Sequence, residues 1–247
     1  MKNLIYLIWL FSATTCFSQP GNRSSFDPKV TEIWDLKPAK ITPGKNSGDA
    51  PSDAIVLFNG KDLSKWTTPS NGEAKWEVKD GAMTVTRGTG DIKTKQTFGD
   101  IQLHIEWRSP SEIIGEGQGR GNSGIFLQER YELQVLDSYE SVTYSNGQAG
   151  SIYKQSIPLV NACLKPGEWQ SYDVIYTAPR FSDNGRVIVP AYVTVLQNGV
   201  LVQNHTQIQG STEYKGLPVY QPHGKGSIQL QDHGNPVSYR NIWVREL

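Results

Sequence analysis

No window of this sequence sustains a helical period; what recurs is short apolar–polar alternation cut by turn dipeptides. Ile101-Gln102-Leu103-His104-Ile105-Glu106-Trp107 alternates without a break, as a strand with one buried face must. Trp76 to Lys79 and Ala82 to Val85 flank Asp80-Gly81, a two-residue hairpin signal whose glycine accepts positive φ. Ala191 to Leu196 and Val200 to Asn204 are joined in the same way through Asn198-Gly199. Gly124 to Leu127, Tyr131 to Val135, Gln170 to Tyr176, Ser227 to Gln231 and Arg240 to Val244 complete the set. Many short strands with no confident helix predict an all-β fold, a two-sheet antiparallel jelly-roll sandwich.

The N-terminus reads differently. Lys2 is followed by a short apolar run, Leu4 to Phe11, and then by small residues up to Ser18. That order marks residues 1–18 as a secretory signal peptide, too short in its apolar part to span a bilayer. Ala13-Thr14-Thr15-Cys16 is a poor lipid-attachment box, so cleavage after Ser18 is favoured over anchoring at an acylated Cys16. The destination is periplasmic or extracellular. Residues 19–53 hold Pro28, Pro38, Pro43 and Pro51 among Gly, Ser and Asn and read as an extended arm or linker. Ile33 and Trp34 argue that part of it docks. Residues 54–247 form one β domain.

Charge and cysteine count narrow the function. The 24 basic and 24 acidic side chains balance with no polybasic stripe, which argues against nucleic acid and anionic membranes as partners. No obligate protein partner is evident. Only Cys163 outlasts the signal segment, so a disulfide framework and a multi-cysteine zinc site are excluded. Seven Trp and eleven Tyr are a high load; much of it belongs in a core, and exposed members stack well on sugar rings.

The polar residues on strands then carry the chemistry. Glu132, Gln134 and Asp137 fall at i, i+2 and i+5, and a β-bulge near Leu136 would bring all three to one face. A solvated edge strand explains the same spacing. His104 and Glu106 share the polar face of their strand, where they could join the Glu132 face, hold a divalent metal as two ligands, or be surface residues. Gln229, Gln231 and His233 make a further polar face, with Asp232 placed to orient His233 or a turn. Arg240 is either a substrate contact or the ion-pair partner of a carboxylate. The glycine-rich stretch Gly115 to Gly124 lacks a phosphate-loop ending and reads as a loop, from whose end Asn122 and Ser123 reach a ligand.

Several segments together resemble one family. They are Leu57-Phe58-Asn59-Gly60-Lys61-Asp62-Leu63 with Trp66, Glu106-Trp107, Gly121-Asn122-Ser123-Gly124-Ile125-Phe126, Tyr131-Glu132-Leu133-Gln134, Pro166-Gly167-Glu168-Trp169, Leu230-Gln231-Asp232-His233-Gly234 and Tyr239-Arg240-Asn241-Ile242-Trp243. In this order they resemble the 3-keto-disaccharide hydrolase domain, from about residue 54 to the end. The resemblance implies a concanavalin A-like jelly roll and activity on oxidised glycosides. Glu132-x-Gln134-x-x-Asp137 is also similar to the Glu-x-Asp-x-x-Glu strand of laminarinase-type retaining glycosidases, with Gln for Asp and Asp for Glu.

A ketone at C3 acidifies the C2 hydrogen, so a base can form an enolate that expels the C1 substituent, and water can then add. On this reading the substrate is an oxidised glycoside or oligosaccharide. Glu132 and His233 lead as acid/base groups. Asp137 and Glu106 stand beside them, and Asn122, Gln134, Gln231, Arg240 and His104 position the sugar. No cofactor is required, although a divalent metal would fit the chemistry. A non-catalytic carbohydrate-binding module is the competing reading. N-terminal sequencing of protein from the native host should find a mature chain beginning near Gln19; an intact Met1 or a lipid on Cys16 would overturn the signal-peptide reading.

Overall fold

The computed structural model describes residues 27–247; the expected signal segment and Cys16 lie outside the described residues. The chain divides into two units after Lys40. In residues 27–40 the turn Pro28–Thr31 is capped by Asp27, whose carboxylate accepts from the Lys29 amide. Ile33 and Trp34 are exposed, and the Trp34 indole donates to Glu32.

The second unit is a β-sandwich. Its larger sheet runs in the order β13 (Val200–Gln207), β12 (Tyr192–Gln197), β9 (Gln170–Thr177), β6 (Ile101–Arg108), β15 (Ser238–Glu246), β4 (Ala82–Thr84) and β3 (Glu77–Lys79), with β1 (Ile55–Phe58) also paired to β15. The smaller sheet has five strands: β2 (Trp66–Thr67), β5 (Ile92–Thr94), β14 (Gln229–Leu230), β7 (Ser123–Leu127) and β8 (Tyr131–Val135). A separate ribbon pairs β10 (Arg180–Phe181) with β11 (Val187–Val189). Pairing is antiparallel in both sheets, which is the two-sheet jelly-roll sandwich expected. Both hairpin dipeptides turn as their residues require: φ is 52° and 77° at Asp80 and Gly81, and 53° and 78° at Asn198 and Gly199.

The core lies between the sheets. Leu103, Ile105 and Trp107 of β6 and Tyr172, Val174 and Tyr176 of β9 meet Tyr131, Leu133 and Val135 of β8, all of them buried. Three tyrosines of the larger sheet also send hydroxyls across. Tyr172 donates to the Gln134 carbonyl at 2.8 Å, Tyr176 to Gln128 Oε1 at 2.7 Å and Tyr239 to Ser123 Oγ at 2.7 Å. A buried phenol without a partner would cost about 1–3 kcal/mol, so each bond both permits the burial and fixes the register between sheets.

The larger sheet's outer face is partly covered by residues 41–53, which the sequence reading assigned to the arm. The Gly48 carbonyl accepts from Asn241 Nδ2 and Trp243 Nε1, and Asp53 pairs with Arg245 at 2.8 Å. Register also departs from expectation. β7 and β8 pair residue for residue from Ser123↔Val135 to Leu127↔Tyr131, and β8 ends there, so no bulge forms at Leu136. Register shifts fall on other strands, among them β15 between Arg240 and Trp243, where Asn241 has φ 46°. Replacing Tyr239 with Phe keeps the ring but leaves Ser123 without its donor. Urea unfolding should show a loss of about 1–2 kcal/mol, and unchanged stability would mean that the cross-sheet bond contributes nothing.

Candidate active site

Alternation on β8 sends Tyr131, Leu133 and Val135 inward and Glu132 and Gln134 outward. On this outer face Lys93, Gln229, Phe126 and Glu132 form one cross-strand row. Gly124 and Gln134 pair in the next row, where the Gln231 amide donates to the Gly124 carbonyl at 3.0 Å. Loops raise walls around these rows and leave a cleft of about 270 Å³. Glu132, Gln134, Gln231 and Phe126 line its sheet side; Asn122 and Gln118 come from one loop and His233 from another. Tyr153, Thr212 and Tyr214 close the remaining side.

Glu132 is the chemical centre of this cleft. Its side chain is built over a gap in the neighbouring strand: a Cβ on Gly124 would lie 2.6 Å from Glu132 Oε1. The residue is only 5% exposed. Burial, reinforced by the negative field of Asp91, pushes its pKa up to about 8. Asp91 is itself pushed up by burial, against the bonds it accepts from the Asp232 amide at 2.8 Å and Gln229 Nε2 at 2.7 Å.

Gln134 lies against this carboxyl. Turned toward the strand, its nitrogen donates to Glu132 Oε1 at 3.0 Å and to the Ser123 carbonyl at 3.2 Å, as suits a carboxylate. The opposite orientation directs the nitrogen to Gln118 Oε1 at 3.1 Å and the Gly147 carbonyl at 3.3 Å.

Other polar atoms point to a ligand. Gln231 Oε1 is buried with no protein partner. His233 is exposed at the rim. Asn122 is fixed from behind, its Nδ2 donating to the Gln118 carbonyl and its amide to Asn235 Oδ1, both at 2.7 Å. Asp232 does not orient His233; it accepts from the Gly88 and Gly90 amides and so ties the loop to its neighbour.

Four expected site residues lie elsewhere. Asp137 follows the end of β8, and without the bulge its carboxylate is taken by Arg120 Nε at 2.6 Å, outside the cleft. His104, Glu106 and Arg240 belong to the larger sheet and face away from its core. Glu106 pairs with Arg240 Nε at 2.6 Å and accepts from Asn241 at 2.9 Å. Burial works to raise its pKa, but these two bonds outweigh it and hold Glu106 below the ordinary carboxylate value. Arg240 also stacks over Trp169 at 4.1 Å. His104 stacks on Trp243 and bonds Asp173 through Nδ1 at 2.6 Å. Among the described residues no three His, Cys, Asp or Glu side chains gather to hold a metal ion.

The sequence reading missed Asp91, whose partners Gln229 and Asp232 are distant in sequence, and Tyr153, Thr212 and Tyr214, which sit in irregular segments. The surplus of tyrosine was the only signal for the two tyrosines.

With this geometry in place, comparison with known proteins is informative. A family model described as 3-keto-alpha-glucoside-1,2-lyase-like domain matches residues 53–245. A 3-keto-disaccharide hydrolase of Bacteroides thetaiotaomicron is 26% identical over 275 residues, covering 93% of this chain and 90% of its own. A crystal structure of a candidate glycosyl hydrolase from Parabacteroides distasonis is 55% identical, with a TM-score of 0.87, covering 92% of this chain and all of that one. A second from the same organism, 23% identical with a TM-score of 0.58 over 79% of this chain and 94% of its own, shares the fold.

The raised carboxyl has a consequence for stability. A carboxyl with a higher pKa folded than unfolded supports the fold below its unfolded value and loses that support as pH rises through the folded value. Wild type should therefore weaken between about pH 4.5 and 8 relative to Glu132→Gln, by roughly 4–5 kcal/mol in unfolding free energies from urea titrations taken across that range. Parallel pH profiles would show that Glu132 ionises in the fold as readily as outside it.

Proposed function

The chain belongs to the 3-keto-alpha-glucoside-1,2-lyase-like domain family, and from that premise we propose that it cleaves 3-keto-glycosides by elimination and hydration. The supporting observation is the composition of the cleft. Among the described residues lining it, Glu132 is the only carboxylate, and it is accompanied by one histidine and several amides. Retaining glycosidases need two carboxyls about 5–5.5 Å apart; Asp137, the second one the sequence offered, is committed to Arg120. A single carboxyl with a pKa near 8 suits proton transfer to and from carbon at neutral pH.

In the proposed sequence Glu132 takes the proton from C2, and the C3 ketone holds the charge as an enolate. The amides of Gln231 and Asn122 are the donors available to that oxygen. The C1–O bond then breaks, and the departing oxygen receives a proton from His233. Water adds across the C1–C2 double bond, its oxygen to C1 and its proton to His233, while Glu132 returns a proton to C2. The net change is hydrolysis to a 3-keto sugar and a free alcohol. Secretion through residues 1–18 places this activity outside the cytoplasm.

Assay with a 3-keto-glucoside and its unoxidised parent tests the reading. Only the ketone should turn over, and Glu132→Gln should lose at least roughly 10²-fold in rate while still binding. For the wild type, kcat/KM should rise with pH through about 8 as Glu132 becomes the base. In heavy water the product should carry deuterium at C2. Retained C2 hydrogen would reject elimination with solvent exchange, and saturable binding without turnover would make the protein a carbohydrate-binding module.

A further inference from the structure

A second cavity, of about 400 Å³, lies on the far side of the loops that bear Asn122 and His233. Gly121 and Gly234, the chain neighbours of those two residues, belong to its lining together with Asn235. Its boundary with the cleft is thus one wall, pinned by the Asn122 amide donating to Asn235 Oδ1 at 2.7 Å. Apart from Arg87, Glu112 and the Arg120–Asp137 pair, the rest of the lining is carbon, from Val85, Pro110, Ile113, Ile114 and Pro236. Ile113 and Ile114 are 55% and 66% exposed, large apolar side chains left at the mouth of a cavity.

Resting on the function proposed above, we infer that this cavity receives the group leaving from C1, and that the group it fits is an aromatic aglycone. His233, the acid for the departing oxygen, stands on the wall between the two spaces, so departure past His233 leads into the cavity. A second sugar is a poorer occupant because most of the lining is carbon, leaving its hydroxyls only Arg87 and Glu112 to meet. Arg120 and Asp137 already satisfy each other, and Asn235 Oδ1 is taken by Asn122. An aryl ring needs none of these. Arg87 makes no hydrogen bond or ion pair among the described residues and is free to lie over a ring face.

The test compares phenyl and methyl 3-keto-glucosides on wild type and on the double variant Ile113→Ser with Ile114→Ser. Both side chains are exposed and neither lines the cleft, so folding and the reaction at C1 and C2 should be undisturbed. The variant should lose roughly tenfold in kcat/KM on the phenyl substrate and stay within about twofold on the methyl one. Taking the ratio of ratios removes the better leaving ability of phenol. Arg87→Ala should shift the ratio in the same direction. Equal losses on both substrates, or none on either, would overturn the assignment. If wild type turns over neither compound, the proposed function fails, and calorimetric titration with phenyl and methyl glucosides judges the cavity alone. A phenyl preference abolished by the double variant would support it; equal binding, or no binding, would overturn it.

Discussion

Three tyrosine hydroxyls crossing between the sheets set the terms for everything built on the smaller one. The most consequential belongs to Tyr239, which donates to Ser123 Oγ, which in turn donates to the Gln231 carbonyl at 2.6 Å. That chain joins β15, β7 and the segment after β14. Because successive side chains on a strand point opposite ways, fixing Ser123 inward fixes Gly124 outward. Gly124 is the position whose missing side chain gives the Glu132 carboxyl its room. The depth of the cleft is therefore set from inside the core, by a hydrogen bond on the opposite face of the strand.

Two glutamates in one domain illustrate how environment assigns roles. Glu106 meets an arginine and an asparagine amide at close range, and its charge is held. Glu132 has burial and a neighbouring negative Asp91, and its proton is held instead. The first arrangement makes a stable ion pair and offers no proton chemistry near neutrality. The second leaves a carboxyl that exchanges its proton where catalysis would use it. Asp91 acts through its field and needs no place in the cleft lining. Its own charge is supported by a backbone amide and the Gln229 side chain.

Local signals made much of the fold legible. The hairpins at Asp80-Gly81 and Asn198-Gly199 follow from residues that tolerate positive φ, and β6 follows from unbroken alternation. Alternation also gave the correct outward pair, Glu132 and Gln134. It could not say which sheet a polar face belongs to, so His104 and Glu106 were grouped with Glu132 although they lie on the outer face of the other sheet. Their partners, Asp173, Arg240, Asn241 and Trp243, are distant in sequence. The expected bulge failed for a related reason. A parity argument can require an extra residue only if the strand continues, and β8 stops at Val135. Loop residues such as Tyr153 and Thr212 reach the cleft by tertiary placement, which leaves no periodic trace.

Asp137 shows what such a misplaced residue does instead. Beyond the end of β8 its amide donates to the Arg120 carbonyl at 3.2 Å while its carboxylate accepts from Arg120 Nε, so one residue grips the other by backbone and side chain together. Arg120 also donates to the Tyr139 carbonyl at 3.0 Å. Gly121 follows with φ 55°, and a Cβ there would lie 2.8 Å from Ser109, so the turn admits only a residue without a side chain. The next residue is Asn122. Nearly buried and joined by a charge-assisted hydrogen bond, the Arg120–Asp137 pair anchors the wall whose one side lines the cleft and whose other side lines the apolar cavity. The carboxylate that strand spacing assigned to catalysis thus works one step removed, holding in place the loop from which Asn122 lines the cleft.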